Sequence, residues 1–169
     1  DYYLGKSIVL NASFRTDGSS NFGSNRQFNP TWSAGAAWHI GEENWARKAI
    51  PALSHATLRA AYGFTGDVNT STSHLLVIQY LQQQYRYFGE ETFNLGTIPS
   101  APNPDLGWEK TRDAKAGIDF GFWKDRLSVN AEYYYRLSTD VVTSSPVQST
   151  TGFTFVYFNA ADIMNSGIE

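Results

Sequence analysis

The sequence predicts an all-β fold: an antiparallel up-and-down meander of about six strands, part of a large transmembrane β-barrel with long extracellular loops. Three observations carry this expectation. Five segments of about ten residues alternate apolar and polar side chains with a period of two, as a strand does with one face on lipid and the other on a wet lumen. Aromatic residues make up 15% of the chain, yet the mean hydropathy is −0.37. A barrel reconciles the two by gathering its aromatics at the two membrane surfaces. The connections between the segments alternate between short and long, as periplasmic turns and extracellular loops do.

The first segment is "KSIVLNASFR". Ile8, Leu10, Ala12 and Phe14 share one face, and Ser7, Asn11, Ser13 and Arg15 the other, with Val9 the exception. A long polar loop, "DGSSNFGSNRQFN", follows. In "TWSAGAAWHI", Trp32, Ala34, Ala36, Trp38 and Ile40 alternate with smaller or polar residues. The 42–55 link is intermediate in length and predicts a turn of helix around Glu43–Lys48. The third segment places Ala56, Leu58, Ala60, Tyr62 and Phe64 opposite Thr57, Arg59, Ala61, Gly63 and Thr65. The connection from Val68 to Gly107 is very long. Within it "HLLVIQYLQQQYRYFGEE" suits a hairpin arm rising above the membrane, and the Pro- and Gly-broken "TIPSAPNPDLG" reads as loop. The fourth and fifth segments, 113–122 and 127–136, flank the tight turn "WKDR". Pairing Trp123 with Arg126 sets Phe122 against Leu127, Phe120 against Val129 and Ala116 against Tyr133 on the apolar face. On the polar face Asp113 meets Arg136, and Lys115 lies diagonal to Glu132. Register requires the apolar faces to coincide, and opposite charges across strands favour it. Lys110 and Arg112 have the parity of the lipid face, but at the loop end, where a charge costs about 0–1 kcal/mol rather than the midplane's roughly 2–4.

Composition excludes several classes. With no cysteine there is no disulfide scaffold or thiolate metal site, and a net charge of −3 does not suit nucleic-acid binding. No run approaches 18 apolar residues, the length of a membrane-spanning helix. The chain starts at Asp1 without a methionine, shows no signal peptide, and stops at "NSGIE" where a strand is starting, so it reads as a piece of a longer protein. "RTDGSSNFGSNR" (15–26) has the composition of a binding loop but lacks the Lys-Ser/Thr pair and following helix of a phosphate loop. It holds one carboxylate, Asp17, and no later bidentate glutamate for calcium. Asp-Gly turn chemistry suffices for it. His39, His55 and His74 lack metal spacing, no G-x-S-x-G elbow occurs, and the adjacent carboxylates Glu42–Glu43 and Glu90–Glu91 suit solvated charge. No catalytic, cofactor-binding or metal-ligating residue is predicted, and no enzymatic activity.

Several stretches in order resemble one family. "RTDGSSNFG" (15–23) is similar to the R-x-DGSS-x-FG signature of SusC/RagA TonB-linked outer-membrane proteins. "PTWSAGAAWHIGEENW", "LRAAYGFTGD", "NPDLGWEKT" with "GIDFGF", "YYYRLSTDVV", "TTGF" and "NAADIMNSGIE" follow in the family's order. Asn21, Ala160–Ala161 and Asp67 depart from its usual residues. The resemblance covers nearly the whole chain. It implies a 22-strand barrel with an N-terminal plug, of which residues 1–169 are a partial β-barrel domain lacking the plug, the TonB box and the remaining strands. It implies a SusD-like surface lipoprotein, energy from the TonB complex, outer-membrane lipid around the wall, and oligosaccharide or peptide substrates.

Two groups of residues become candidates. Arg15, Arg59, Asp113, Lys115, Asp119, Glu132 and Arg136 face the lumen, either as a salt-bridged wall against a plug or as direct contacts for substrate or plug release. Tyr80, Tyr85, Tyr87, Phe88 and Phe93, in the long loop, either stack on sugar rings or pack the loop. Two other functions fit the same pattern: a passive porin-like barrel and a soluble carbohydrate-binding β-sandwich.

Overall fold

The computed structural model describes residues 1–23, 26–86 and 92–169. Its strands are β1 (Tyr2–Leu4), β2 (Ile8–Gly18), β3 (Phe28–His39), β4 (Leu53–Asp67), β5 (Gln79–Arg86), β6 (Thr92–Thr97), β7 (Ser100–Ala101), β8 (Glu109–Phe122), β9 (Leu127–Pro146) and β10 (Phe155–Ile168), with a short helix α1 (Asn44–Ala49) before β4. The main sheet runs β1-β2-β3-β4-β8-β9-β10-β7, and β5–β6 form a separate hairpin. All neighbours in the main sheet are antiparallel except β7, which runs parallel to β10. The strand count therefore exceeds the expected six. The six long strands are there, but β1 adds an edge that its three residues were too short to signal. β7 adds a parallel pairing inside a segment that prolines mark as loop.

The register follows from the alternation. Ala12 pairs with Ala34, Ala34 with Tyr62, Tyr62 with Ala114 and Ala114 with Tyr135, so one row of apolar side chains crosses five strands. A one-residue slip at any strand would break that row. The apolar face stays bare: Leu58, Ile118, Val129 and Tyr133 are all exposed. A β-sandwich would cover such a face with a second sheet about 10 Å away, and among the described residues none does so. The hairpin at "WKDR" forms as expected, with Phe122 opposite Leu127 and Ala116 opposite Tyr133. Its tightness has a conformational cost, because Trp123, Lys124 and Asp125 all have positive φ (52°, 58° and 62°). The turn rests on the 42–55 link: Trp123 N–H donates to the Ala52 carbonyl (2.8 Å) and Asp125 N–H to Ser54 Oγ (3.1 Å).

Among the described residues, the buried aromatic and leucine side chains cluster at the loop end, while Ala46 and Ala56 are buried at the opposite end. Phe22 (1% exposed), Leu106 (0%) and Trp108 pack together, with Val68, Val142 and Tyr157 against them. The Phe22 and Trp108 rings lie 5.4 Å apart. Trp108 Nε1 donates to the Arg26 carbonyl (2.9 Å), and Arg26 Nη1 donates to the Asp105 carbonyl (2.6 Å). Asn159 ties the cluster to β9: its Nδ2 donates to the carbonyls of Gly107 and Asp140, and its Oδ1 accepts from Gly107 N–H. The 18–27 connection is thus more than a turn, since it carries Phe22 into a core. The 97–107 stretch, expected as plain loop, supplies the core's most buried residue, Leu106.

Candidate functional site

The polar face of the sheet holds the charged candidates, and strand register decides which of them meet. Arg59 on β4 lies directly opposite Gly117 on β8, which lies opposite Glu132 on β9. Gly117 has no side chain, so Arg59 lies across it: a Cβ there would come within 2.8 Å of Arg59 Nε. Arg59 reaches Glu132 at 3.0 Å and Asp119 at 2.9 Å, bridging three strands. Lys115 approaches the other Glu132 oxygen at 3.7 Å, and Asn130 Nδ2 donates to Asp119. One row toward the loops, Arg136 pairs with Asp113 at 2.5 Å, as the hairpin register demands. Arg15, nearer the rim, pairs with Asp17 on its own strand (2.9 Å), and Thr31 Oγ1 donates to that carboxylate. Six of the seven inward candidates therefore form two adjoining clusters, and Arg15 stands apart from them.

Glycines and other small residues shape this face. Gly167 on β10 lies under the Tyr134 ring, where a Cβ would meet the ring at 2.8–2.9 Å. Between Ser33, Ala61 and Gly63 on one side and Asp113, Lys115 and Arg136 on the other lies a concavity of about 600 Å³. Asp113 Oδ1 is buried beside it without a hydrogen-bond partner among the described residues. The surface offers carboxylates, guanidinia and hydroxyls, and toward its turn end His39 Nδ1 lies 3.1 Å from Thr57 Oγ1. Among the described residues no cluster of three metal-ligating side chains forms. Its charged and hydrogen-bonding groups suit contact with a polar group.

The whole chain, residues 1–169, matches the family model described as TonB dependent receptor-like, beta-barrel. The chain belongs to this family. TonB-dependent receptor P39 of Formosa agariphila is 32% identical over 95% of the chain, and TonB-dependent receptor SusC of Bacteroides thetaiotaomicron 30% identical over all of it. The RagAB peptide importer in its closed-closed state superposes with a TM-score of 0.78 at 28% identity over 96% of the chain, and in its open-open state with 0.77 over 99%. The chain spans 15% and 17% of the lengths of those two curated relatives. It is a stretch of receptor barrel wall, an all-β segment of the SusC/RagA type.

In this receptor barrel the loop candidates fall differently from the wall candidates. Tyr80 is 73% exposed at the start of the β5–β6 hairpin. Tyr85 and Phe93 are register partners across the hairpin. Tyr87 and Phe88, like Glu90 and Glu91, lie outside the described residues. Sequence reasoning missed the residues that make the rim rigid, namely Phe22, Leu106, Trp108 and Asn159. It also missed Gly117, which lets Arg59 bridge. The first set had a signal, because all four lie in the quoted family stretches. Gly117 had one only in hindsight of register, as the small residue in line with Arg59 and Glu132.

Proposed function

We propose that this segment forms part of the wall of an outer-membrane TonB-dependent importer of oligosaccharides or peptides. It works by passage and gating, without bond chemistry. The observation that carries the reading is the two-faced single sheet in register: a bare apolar face toward lipid and, opposite it, an ion-paired polar face toward the lumen. The RagAB neighbour is by its description a peptide importer, which supports a peptide as one substrate class; kinship with SusC-type receptors supports a glycan as the other. The plug, the TonB box and the remaining strands belong to the rest of such a protein. The Arg59–Glu132–Asp119 and Arg136–Asp113 clusters then present charge to the plug from the wall, and the hairpin and long loops form the outer vestibule. A SusD-like lipoprotein covers that mouth, where the exposed run Leu75–Ile78 offers it apolar contact area.

The test is growth of a strain lacking the full gene on a panel of glycans and peptides, with and without a working TonB system. Loss of growth on one substrate class, reproduced by loss of TonB, is expected. Unchanged growth on every substrate would refute the importer reading. Growth lost without the receptor but kept without TonB would favour a passive pore.

A further inference from the structure

A second cavity, of about 460 Å³, lies at the loop end beside the Phe22–Trp108 core, lined among others by Arg26, Phe28, Asn29, Trp108, Lys110 and Asp140. It opens at the rim between the two faces: Phe28 and Lys110 on its lining have the outward parity of Trp32 and Arg112, and Asn29 has the inward parity of Thr31. Gly66 shares the outward parity of Tyr62 and Phe64, and a Cβ on it would strike Asn29 Nδ2 (2.1 Å) and approach Trp108 (3.1 Å). Phe28 is 73% exposed there.

The cavity is rich in hydrogen-bond donors that the protein does not use up. Asn29 is 5% exposed, and its Nδ2 has no partner among the described residues. Among the described residues, Lys110 spends one contact on Asp140 (2.9 Å), leaving two ammonium protons. Among them too, Arg26 donates one N–H to the Asp105 carbonyl, leaving the others. Two residues along β8 from Lys110, on the same face and about 7 Å away, Arg112 is exposed with no salt-bridge partner among the described residues. The lining holds two cations, Arg26 and Lys110, against one carboxylate, Asp140, and Arg112 adds a third cation beside it, a balance that favours an anion rich in acceptors.

The level of the site says which anion. Arg112 lies in the cross-strand row Phe14–Trp32–Phe64–Arg112–Leu137, so it interrupts the line of girdle aromatics. Lys110 and the cavity lie one step further toward the loops. Girdle aromatics sit where acyl chains give way to headgroups, so the cations stand at headgroup depth with apolar rings below them. We propose that this cavity, with Lys110 and Arg112, holds the phosphate-bearing headgroup of an outer-leaflet lipid, whose acyl chains lie down over Trp32, Phe64 and Leu137. The inference rests on the membrane reading above and commits to a lipid source for the phosphate.

The full-length receptor, purified in mild non-ionic detergent and stripped of lipid, would be titrated with lipid A and with enzymatically dephosphorylated lipid A, and bound lipid counted by native mass spectrometry. Each cation near an anionic headgroup is worth about fivefold in affinity, so a Lys110→Gln/Arg112→Gln receptor is expected to bind lipid A about thirtyfold more weakly. A Lys110→Arg/Arg112→Lys receptor should keep most of the affinity, and heat-modifiable migration on gels would verify that each barrel is folded. Wild-type receptor should bind the dephosphorylated lipid as weakly as the glutamine variant binds lipid A. Equal binding of the two lipids by wild type, or unchanged binding by the folded glutamine variant, would overturn the proposal. Displacement of lipid A by inorganic phosphate at equal concentration would assign the site to a soluble anion and overturn the lipid assignment. Recovery of the receptor in the soluble cell fraction would instead defeat the membrane reading, so the two failures are distinguishable.

Discussion

Gly117 decides whether Arg59 can reach across a strand. Arg59 spans from β4 to Glu132 on β9 only because the residue between them has no Cβ to hold the guanidinium off the sheet. A Gly117→Val receptor should therefore lose the Arg59–Glu132 bridge while keeping the β8 register. Arg59 is 42% exposed, so the loss is modest, about 1 kcal/mol after solvent screening. It is measurable as a small drop in the urea midpoint of the detergent-folded receptor. An equal drop from Gly117→Val in an Arg59→Met background would show that the bridge was not the cause. Phe22 works on a larger scale because it is fully buried. Phe22→Ala removes the ring from the rim core, a change of about 3–5 kcal/mol for a buried aromatic. It should open the 18–27 and 103–108 segments without unfolding the strands. Hydrogen exchange would read this as amides in those two segments speeding up by about a hundredfold or more, with β3 and β4 unaffected. Acceleration spread evenly over the sheet would argue that Phe22 supports the barrel rather than its rim.

Among the elements, the β8–β9 hairpin shows most clearly what sequence could and could not say. Its register was legible because two independent patterns, apolar on one face and Asp113 against Arg136 on the other, agree only when Phe122 faces Leu127. Its turn conformation was not. Positive φ is usually signalled by Gly, Asn or Asp, and of Trp123, Lys124 and Asp125, which all adopt it, only Asp125 gives that signal. The left-handed region costs a non-glycine residue roughly 1–2 kcal/mol, while glycine loses roughly 0.5–1 kcal/mol more backbone entropy on folding. Lys124→Gly should thus stabilise the receptor by about 0.5–1 kcal/mol, raising the urea midpoint. A lower midpoint would mean that the lysine side chain makes a contact that matters more than the backbone strain. The rim core was hidden for a different reason. Its members come from the 18–27 and 98–108 connections, up to 86 residues apart in sequence (Phe22 to Trp108), and no periodicity joins them. The inward charges fall between the two cases, with their face legible from alternation and their grouping into two clusters visible only once three strands, β4, β8 and β9, were aligned.

At the scale of the whole molecule, the sheet is incomplete in a way that makes a prediction. β1 covers β2 only from Ile8 to Leu10, so the outer edge of β2 is unpaired from Asn11 to Gly18. Among the described residues β7 covers β10 only at Phe155 and Val156, leaving the stretch to Ile168 unpaired on that side. Between these edges lies an apolar face with Phe14, Trp32, Trp38, Leu58, Tyr62, Ile118 and Tyr133 exposed. Unpaired edges template pairing with other chains, and an apolar surface of this extent is not stable in water on a monomer. In the barrel wall proposed above, neighbouring strands would satisfy the edges and lipid would cover the face. The 169-residue chain produced alone should therefore aggregate in detergent-free buffer, and mild detergent should disperse it without giving a closed barrel, because both edges remain open. Analytical ultracentrifugation distinguishes the outcomes. A monodisperse 18.9 kDa species in plain buffer, with strand-rich circular dichroism, would require something within these residues to cover the apolar face. That would overturn the assignment of that face to lipid, and with it the division of the sheet into a membrane side and a lumen side.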